Sequence, residues 1–537
     1  FGTSPQGREM PLLIIDKNGN FAPEIVRASG NIVLLIEAGI HPGEADGTDA
    51  VLMLMRDMII KKKLFHLLDH VTFLFIPAFN VDGLARFGPY NRINQNGPKE
   101  MGWRATAQNL NLNRDFLKAD APEMHAWLKL FNRWLPDFFV DCHTTDGADY
   151  QYVLTYMLEI FGNMDADLTT WQRDVYLPYV KSEMDNTEYP VFQYVTFRRW
   201  HDPRSGLISG VSPPRLSHGY SALQNRPSLL IETHSLKPHR IRVEATYYML
   251  QYTAELLNKE YKTVKQLIST ADTFAASKKF REKPFPVSFR RSSGDSVMVE
   301  FKGVEYTAER SDLTGGYWFK YSDRPKTYVL PWFNKPEPEM KVKLPEAYII
   351  PPEWTEVIER LKMHGIKLDY LMEPAEISVE TYLFKNPKWR QAPYESRHPM
   401  TNIEYEVINE KRIYPKGSVL VDMNQRSARV IAHILEPKAK DSYAYWGFFD
   451  VIFEQKEYGE TYVMEGIARE MLEKDKALKR EFERKKAEDK NFAGSQWDMM
   501  NWFYSKTQYW DQKKDKYPVG KIYERKVLEK FLKISDQ

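Results

Sequence analysis

His41 and Glu44 stand three residues apart in "IEAGIHPGEADG". An imidazole nitrogen and a carboxylate oxygen at that spacing can share one metal ion. Surface turns carry the same pair with no metal, and so short a motif does not separate the two readings. Gly39, Pro42, Gly43 and Gly47 punctuate the stretch and mark a loop between an apolar run and a helical pattern. His143 follows a second apolar run in "FVDCHTTDG", and Glu232 closes a third in "SLLIETHS". Two histidines and one carboxylate leave a fourth zinc position open, which is the arrangement of a catalytic site and not of a closed structural one. A separate carboxylate, not needed as a ligand, would serve as base toward a metal-activated water.

Those residues need elements that bring them together. From Phe1 to about residue 280, β-type runs alternate with helical patterns, which predicts an α/β fold with a mixed, mostly parallel sheet and helices on both faces. "PLLIID", "NIVLLIEAG", "VTFLFIPAFN", "DFFVDCHTT" and "PSLLIETHS" are near-continuous apolar runs, as expected of strands buried on both faces. In such a sheet ligands bind beyond the carboxyl ends of the strands, where His41, Glu44, His143 and Glu232 would converge. Neighbouring side chains on a strand point to opposite faces, so Cys142 is expected in the core, away from whatever His143 faces.

Three regions are expected: the α/β unit over 1–280, a strand-rich accessory domain over 281–440, and a mainly helical region over 441–537 packed on both. A β-sandwich is one arrangement open to the middle region. A linker around "KKFREKPFPVSFRRSS" leads into strands expected to be short. Within that region "PPEWTEVIERLKMHG" reads as a helix, with Pro351 and Pro352 at its start and Gly365 as its cap. Further on, "EGIAREMLEKDKALKREFERKKAEDK" mixes both charge signs and reads as a solvated helical face. The aromatic stretches "GGYWFKYSDRPKTYVLPWF" and "SYAYWGFFDVIF" read as core and interdomain packing.

Bulk properties narrow the function classes. The net charge of +2 gives no electrostatic reason to expect nucleic acid or an anionic membrane as partner. One cysteine, Cys142, excludes an intrachain disulfide and a cysteine zinc cluster. No apolar run reaches the roughly 20 residues that span a bilayer. The opening "FGTSPQGREMPLLII" reads as mid-domain sequence, so the protein is expected to be exported, its leader absent from this chain. The oligomeric state is not legible.

The ordered set of His-x-x-Glu, Asn-Arg, a later His and a still later Glu resembles the zinc carboxypeptidases, also called funnelins. "GTSPQGREMPLL" ahead of the loop and "PAFNVDG" (Pro77 to Gly83) match as well, and the resemblance covers roughly residues 1 to 270. It implies one zinc per chain on His41, Glu44 and His143, and a peptide substrate with a free C-terminal carboxylate held by Asn113 and Arg114. Glu232 would be the general base and later the acid. A planar guanidinium suits two-pronged recognition of a carboxylate, with the Asn amide as a neutral donor beside it.

The sequence departs from the family in three places. Ala107 stands where the oxyanion-stabilising arginine most simply aligns, which leaves Arg104 as the candidate. Asn111 replaces the acidic partner that orients a ligand histidine, and an amide can accept from an imidazole N–H with less charge. The clamping tyrosine is assigned to Tyr220, with Tyr194 as the other choice. His218, His234 and His239 are read as packing or hydrogen-bonding residues. Two competing functions share these residues: an N-acyl amino acid amidohydrolase of the aspartoacylase and succinylglutamate desuccinylase kind, and a non-catalytic binding protein.

Overall fold

The computed structural model describes residues 1–291 and 294–532. Seven strands form its central sheet, in the order Leu13–Ile15, Val71–Ile76, Ile32–Ala38, Phe138–Thr145, Ser228–His234, Leu154–Met157 and Val191–Gln193. Four of the six pairings are parallel; those of Leu13–Ile15 with Val71–Ile76 and of Ser228–His234 with Leu154–Met157 are antiparallel. Every residue of Ile32–Ala38 and Val71–Ile76 is buried. Alternate side chains of the first strand enter different cores. Ile32, Leu34 and Ile36 pack with the helices Asp46–Met55 and His239–Ala275, while Val33 and Leu35 pack with Pro122–Trp134 and Ser217–Leu223. Burial on both faces is why the strands spell out as unbroken apolar runs.

The second of these cores continues without a break into the strand-rich region, taking in Tyr348, Val357, Val419, Ile431 and Trp446. A six-stranded antiparallel sheet lies there, in the order Asp369–Tyr370, Val419–Asp422, Ala347–Ile350, Gly520–Ile522, Ala375–Trp389 and Met400–Tyr414. Gly520–Ile522 therefore reaches this sheet from the mostly helical C-terminal stretch. The strands expected to be short include two long hairpin arms, Val297–Arg310 and Tyr317–Phe333, of 14 and 17 residues. Pro325 sits opposite Val304 where the register shifts, and a proline at a bulge makes one continuous strand read as two. This hairpin adds to Asp202–Ile208 through Leu207 opposite Trp332, so it grows directly from the first unit.

The helix expected from Pro351 starts at Thr355 with Trp354 as its cap, and the two prolines fall in the turn before it. Gly365 lies one residue past the C-cap with a φ of 72°, a conformation glycine adopts without strain. The mixed-charge stretch is two helices, Thr461–Lys474 and Lys476–Glu488, broken at Asp475, whose carboxylate caps the second at the amides of Ala477 and Leu478. Lys476–Glu488 buries none of its residues. No helix of the described residues is long and apolar enough to cross a membrane.

One segment between the sheet and the strand-rich region is held from outside. The residues that follow Asn111 are irregular and have no strand partner of their own. The amide of Asn111 donates to Glu395 at 3.0 Å. The carbonyl of Leu117 accepts from His364 at 2.9 Å and from the Tyr443 hydroxyl. Asp120 takes Arg397 through two hydrogen bonds of 2.8 Å, Arg360 at 2.9 Å and Lys118 at 3.1 Å. Burial alone would raise the Asp120 carboxyl, but the Arg397 hydrogen bonds and the Lys118 charge outweigh it and hold it well below the usual carboxylate range.

Asp120→Asn keeps the shape and removes the charge, leaving buried Lys118 and half-buried Arg360 and Arg397 short of that anion. Breaking such a pair costs about 3 kcal/mol, so the melting temperature should fall by several degrees. Because the native carboxyl titrates below its ordinary value of about 3.9, the stabilisation is complete above that value. It should fade as acid takes the pH down through the lowered native value. Melting curves of wild type and Asp120→Asn across the acid range measure this. A gap of constant size throughout would reject the assignment.

Candidate active site

The loop that carries His41 and Glu44 leaves the strand Ile32–Ala38 at its carboxyl end. Gly39 turns it with a φ of 70°, and a Cβ there would press on Pro77 and Ala78, so the chain passes close under the neighbouring turn. The amides of Phe79 and Asn80 bond back to Ala38 and Gly39. Glu44 closes a turn on the carbonyl of His41 at 2.8 Å. The following helix lies so near the adjacent strand that a Cβ at Gly47 would stand 2.3 Å from that of Cys142. Cys142 thus faces the core under this helix, and His143 faces the other way, as strand alternation requires.

His41, Glu44 and His143 converge, with one ligand atom from each lying within 4.8 Å of the others. The Nδ1 of His41 is 3.0 Å from Glu44 Oε1, and the Nδ1 of His143 is 3.0 Å from Glu44 Oε2. The outer nitrogens are held by acceptors: His41 Nε2 by Asn111 Oδ1 at 3.0 Å and His143 Nε2 by Asp141 Oδ2 at 2.7 Å. Protons placed on the outer nitrogens leave both Nδ1 lone pairs turned inward, as metal-binding imidazoles require. His41 Nδ1 is buried and makes no hydrogen bond. A buried nitrogen without a donor, aimed at a carboxylate and a second imidazole, is what a divalent cation would satisfy. The donor set therefore fits zinc. Asn111 stands in the ligand-orienting place as an amide, and Asp141, two residues before His143 on the same strand, supplies the charged partner on the other side.

Around these three runs a cleft of about 490 Å³, lined also by Arg92, Arg104, Arg114, Tyr194 and Glu232. Arg104 reaches Glu44 Oε1 at 3.3 Å. Arg92 reaches the same oxygen at 2.8 Å and the carbonyl of Thr144 at 3.2 Å. Sequence reasoning missed Arg92, because it lies in an irregular segment with no periodicity. Its one signal was an arginine in an Asn-rich loop, "NRINQNG". Glu232 stands beside His143 in the parallel register. Its Oε2 is buried with no hydrogen-bond partner. Burial pushes this carboxyl up to about 8, with Glu44 and Asp141 adding to the rise and His143 and Arg104 opposing it.

Two expectations need correction. Tyr220 does not reach the cleft: it is fully buried among Phe116, Trp127 and Phe131, and its hydroxyl bonds to His364 at 2.8 Å. Its helix, Ser217–Leu223, is buried at every residue, so no side chain on it is free to clamp a ligand. The tyrosine at the cleft is Tyr194, whose hydroxyl lies 3.2 Å from Thr145 Oγ1. Asn113 is also set back from the cleft. Its Oδ1 accepts from the amide of Ser217 at 3.1 Å and its Nδ2 lies 3.1 Å from His143 Nε2. Arg114 alone of that pair lines the cleft, anchored by one bond of 2.6 Å to the carbonyl of Asn113.

The remaining histidines take packing and bonding roles. His218 bonds to Ser212 at 2.6 Å, His234 to the carbonyl of Ala148 at 3.0 Å, and His239 bridges Asp46 and Asp49. Behind the cleft, Asp46 accepts from Thr144, Thr233 and Arg242, which joins the ends of the two site strands. Arg242 is fully buried and also bonds the carbonyls of Ser235, Lys237 and Gly97.

Comparison with known proteins bears on the same elements. Residues 1–152 match the family model described as zinc carboxypeptidase. Carboxypeptidase 2 of Trichophyton rubrum is 22% identical over 460 residues, covering 83% of this chain and 79% of its own length. Probable carboxypeptidase 2 of Arthroderma benhamiae is 21% identical over 450 residues, covering 82% of this chain and 79% of its own. Among solved structures, a metallo-carboxypeptidase from Pseudomonas aeruginosa superposes with a TM-score of 0.36 at 17% identity, over 48% of this chain and 64% of its own. The chain thus spans just under two thirds of that structure. Carboxypeptidase A from Helicoverpa armigera gives a TM-score of 0.33 at 15% identity, over 50% of this chain and 68% of its own. The family match runs from the N-terminus past the strand Phe138–Thr145, which carries His143, and the curated matches reach well beyond it; over residues 1–152 the chain is similar to the zinc carboxypeptidases.

Proposed function

We propose that the protein hydrolyses the C-terminal peptide bond of peptides, with zinc held by His41, Glu44 and His143. The observation that carries this reading is the convergence of those three donor groups beside Arg114 and Glu232 in one cleft. Zinc bound there would act as a Lewis acid, polarising the scissile carbonyl and acidifying a water molecule. The chain's own residues supply the rest. Arg114 takes the free carboxylate of the substrate, since its guanidinium is tied on one side only and faces the cleft. Asn113 acts through His143 and Ser217 and positions this stretch. Arg104 and Arg92 place positive charge beside the carbonyl oxygen on which negative charge develops, and both also hold Glu44. Glu232 takes a proton from the attacking water and returns it to the leaving amine. Its unpartnered Oε2 is the atom for that task. Tyr194, in place of Tyr220, is the tyrosine that can close on the substrate.

Metal analysis of the purified protein should find about one zinc per chain, removed by chelator together with activity. His143→Ala should fail to retain the metal, and a variant that keeps both zinc and full activity would remove His143 from the ligand set. Glu232→Gln should keep its zinc, because shape and hydrogen bonding survive, while kcat falls about 10²–10⁴-fold. Loss of the metal instead would make Glu232 a ligand.

The exopeptidase step is tested by two substrates against two proteins. A peptide with an amidated C-terminus lacks the charge and one acceptor oxygen that Arg114 pairs with, and should be a much poorer substrate than the free acid. Leaving one partner of a desolvated pair unmatched costs about 2–5 kcal/mol. Arg114→Ala should lose the preference, and Arg114→Lys should recover only part of it. Equal cleavage of acid and amide by wild type would end the carboxypeptidase reading. Turnover confined to N-acylated amino acids would favour the amidohydrolase alternative.

A further inference from the structure

A second cavity, of about 410 Å³, shares Tyr194 as a wall with the catalytic cleft. It lies where the first unit meets the strand-rich region. One side is the segment 208–216 with Leu158 and Gln193; the other is the strand Phe285–Arg290 with Arg291 and Lys440. Leu158, Phe161 and Ile208 give it an apolar floor, and its charge is of one sign. Arg215, Arg290, Arg291 and Lys440 line it, and no aspartate or glutamate does.

Two of these cations are answered from outside the cavity: Arg215 by Asp441 at 2.7 Å and Arg290 by Glu337 at 2.8 Å. Arg291 and Lys440 are exposed and form no ion pair with the described residues. The cavity meets the catalytic cleft at Tyr194.

We infer that this cavity receives the side chain of the substrate's C-terminal residue and selects an anionic one, glutamate or aspartate. The inference rests on the carboxypeptidase reading and adds what that reading leaves open. A glutamate would lay its methylenes on the apolar floor and bring its carboxylate to Arg291 and Lys440. A lysine or arginine would meet two cations outside any ion pair with the described residues, Arg291 and Lys440, and no carboxylate in the lining. Attraction to an exposed cation is worth little alone, so the selection comes as much from excluding the basic side chain as from holding the acidic one. Both groups that act come from the strand-rich region, which makes that region part of the specificity of the enzyme.

The test uses the zinc-loaded full chain and three peptides alike except for a last residue of Glu, Phe or Lys. We expect kcat/KM for the Glu peptide to exceed that for the Lys peptide by at least about tenfold, and the ratio to shrink at high salt. Arg291→Glu combined with Lys440→Glu, both surface changes, should invert the order. A second measurement, the shift in melting temperature with free glutamate or free lysine, reads the cavity without turnover. Cleavage of the Phe peptide with no preference for Glu over Lys overturns this inference and leaves the carboxypeptidase reading standing. No cleavage of any peptide, with a glutamate shift that the double variant abolishes, keeps the anion selection and removes the peptidase reading. No preference in either measurement overturns it, as does a preference for Lys.

Discussion

The Glu44 carboxylate is 2% exposed, and a buried charge persists only where it is paired and hydrogen-bonded. Two imidazole nitrogens face its oxygens, two arginines donate to one of them, and the amide of Thr144 donates to the other. Much of the neighbouring architecture is needed to bring those groups to one point. The amide of Thr144 and the ring of His143 require the strand Phe138–Thr145 to run beside the loop, and Arg92 requires the irregular segment beyond residue 86 to fold back over it. A divalent cation between the three donors completes the compensation, since His41 Nδ1 otherwise ends at no donor. Coordination and stability are coupled here, because a metal that binds only the folded chain adds to its stability.

The parts of this site that were legible in the sequence lie at the ends of buried strands. Ile32–Ala38, Phe138–Thr145 and Ser228–His234 each open on a buried apolar run; His41 and Glu44 follow the end of the first, and His143 and Glu232 lie where the runs of the other two give out. Tyr220 was misread for a related reason. "SHGYSAL" holds polar residues and looks like a surface turn, yet all seven are buried. Its hydroxyl and polar side chains find partners such as His364 and Gln224, and only tertiary structure supplies those. Arg92 and the set-back position of Asn113 depend on contacts across 48 and 104 residues. No local pattern encodes such distances. The long hairpin arms were hidden differently, since prolines and exposed polar residues break the period that marks a strand.

The stretch that bears Asn113 and Arg114 joins the two halves of the molecule. In the sheet a side chain is positioned by its strand, but Arg114 sits in a short 3₁₀ turn, Leu112–Arg114, with no ladder to hold it. Its precision is supplied from the other side, by Glu395 on the amide of Asn111, His364 and Tyr443 on the carbonyl of Leu117, and Arg360 and Arg397 on Asp120. Functional groups placed on loops need such support, because a displacement of about 1 Å costs orders of magnitude in rate. The strand-rich region is in that sense part of the site, although none of its residues lines the catalytic cleft.

That division also explains how one molecule can keep its chemistry fixed while its choice of substrate varies. The three candidate metal-binding side chains and Glu232 are set by the central sheet, where a shift of the strand Phe138–Thr145 would take Thr144 from Glu44 and Asp46 together. The neighbouring cavity is walled partly by that sheet's own loops and partly by Val287, Arg291 and Lys440, which the sheet does not constrain. Arg291 and Lys440 are solvent-exposed and bear on no core, so exchanging them costs little stability. In the proposed reaction a carboxylate at the substrate's terminus pairs with Arg114 whatever the last residue is. The charge proposed to meet that residue's side chain is carried by groups the fold can easily replace, since Arg291 and Lys440 are exposed.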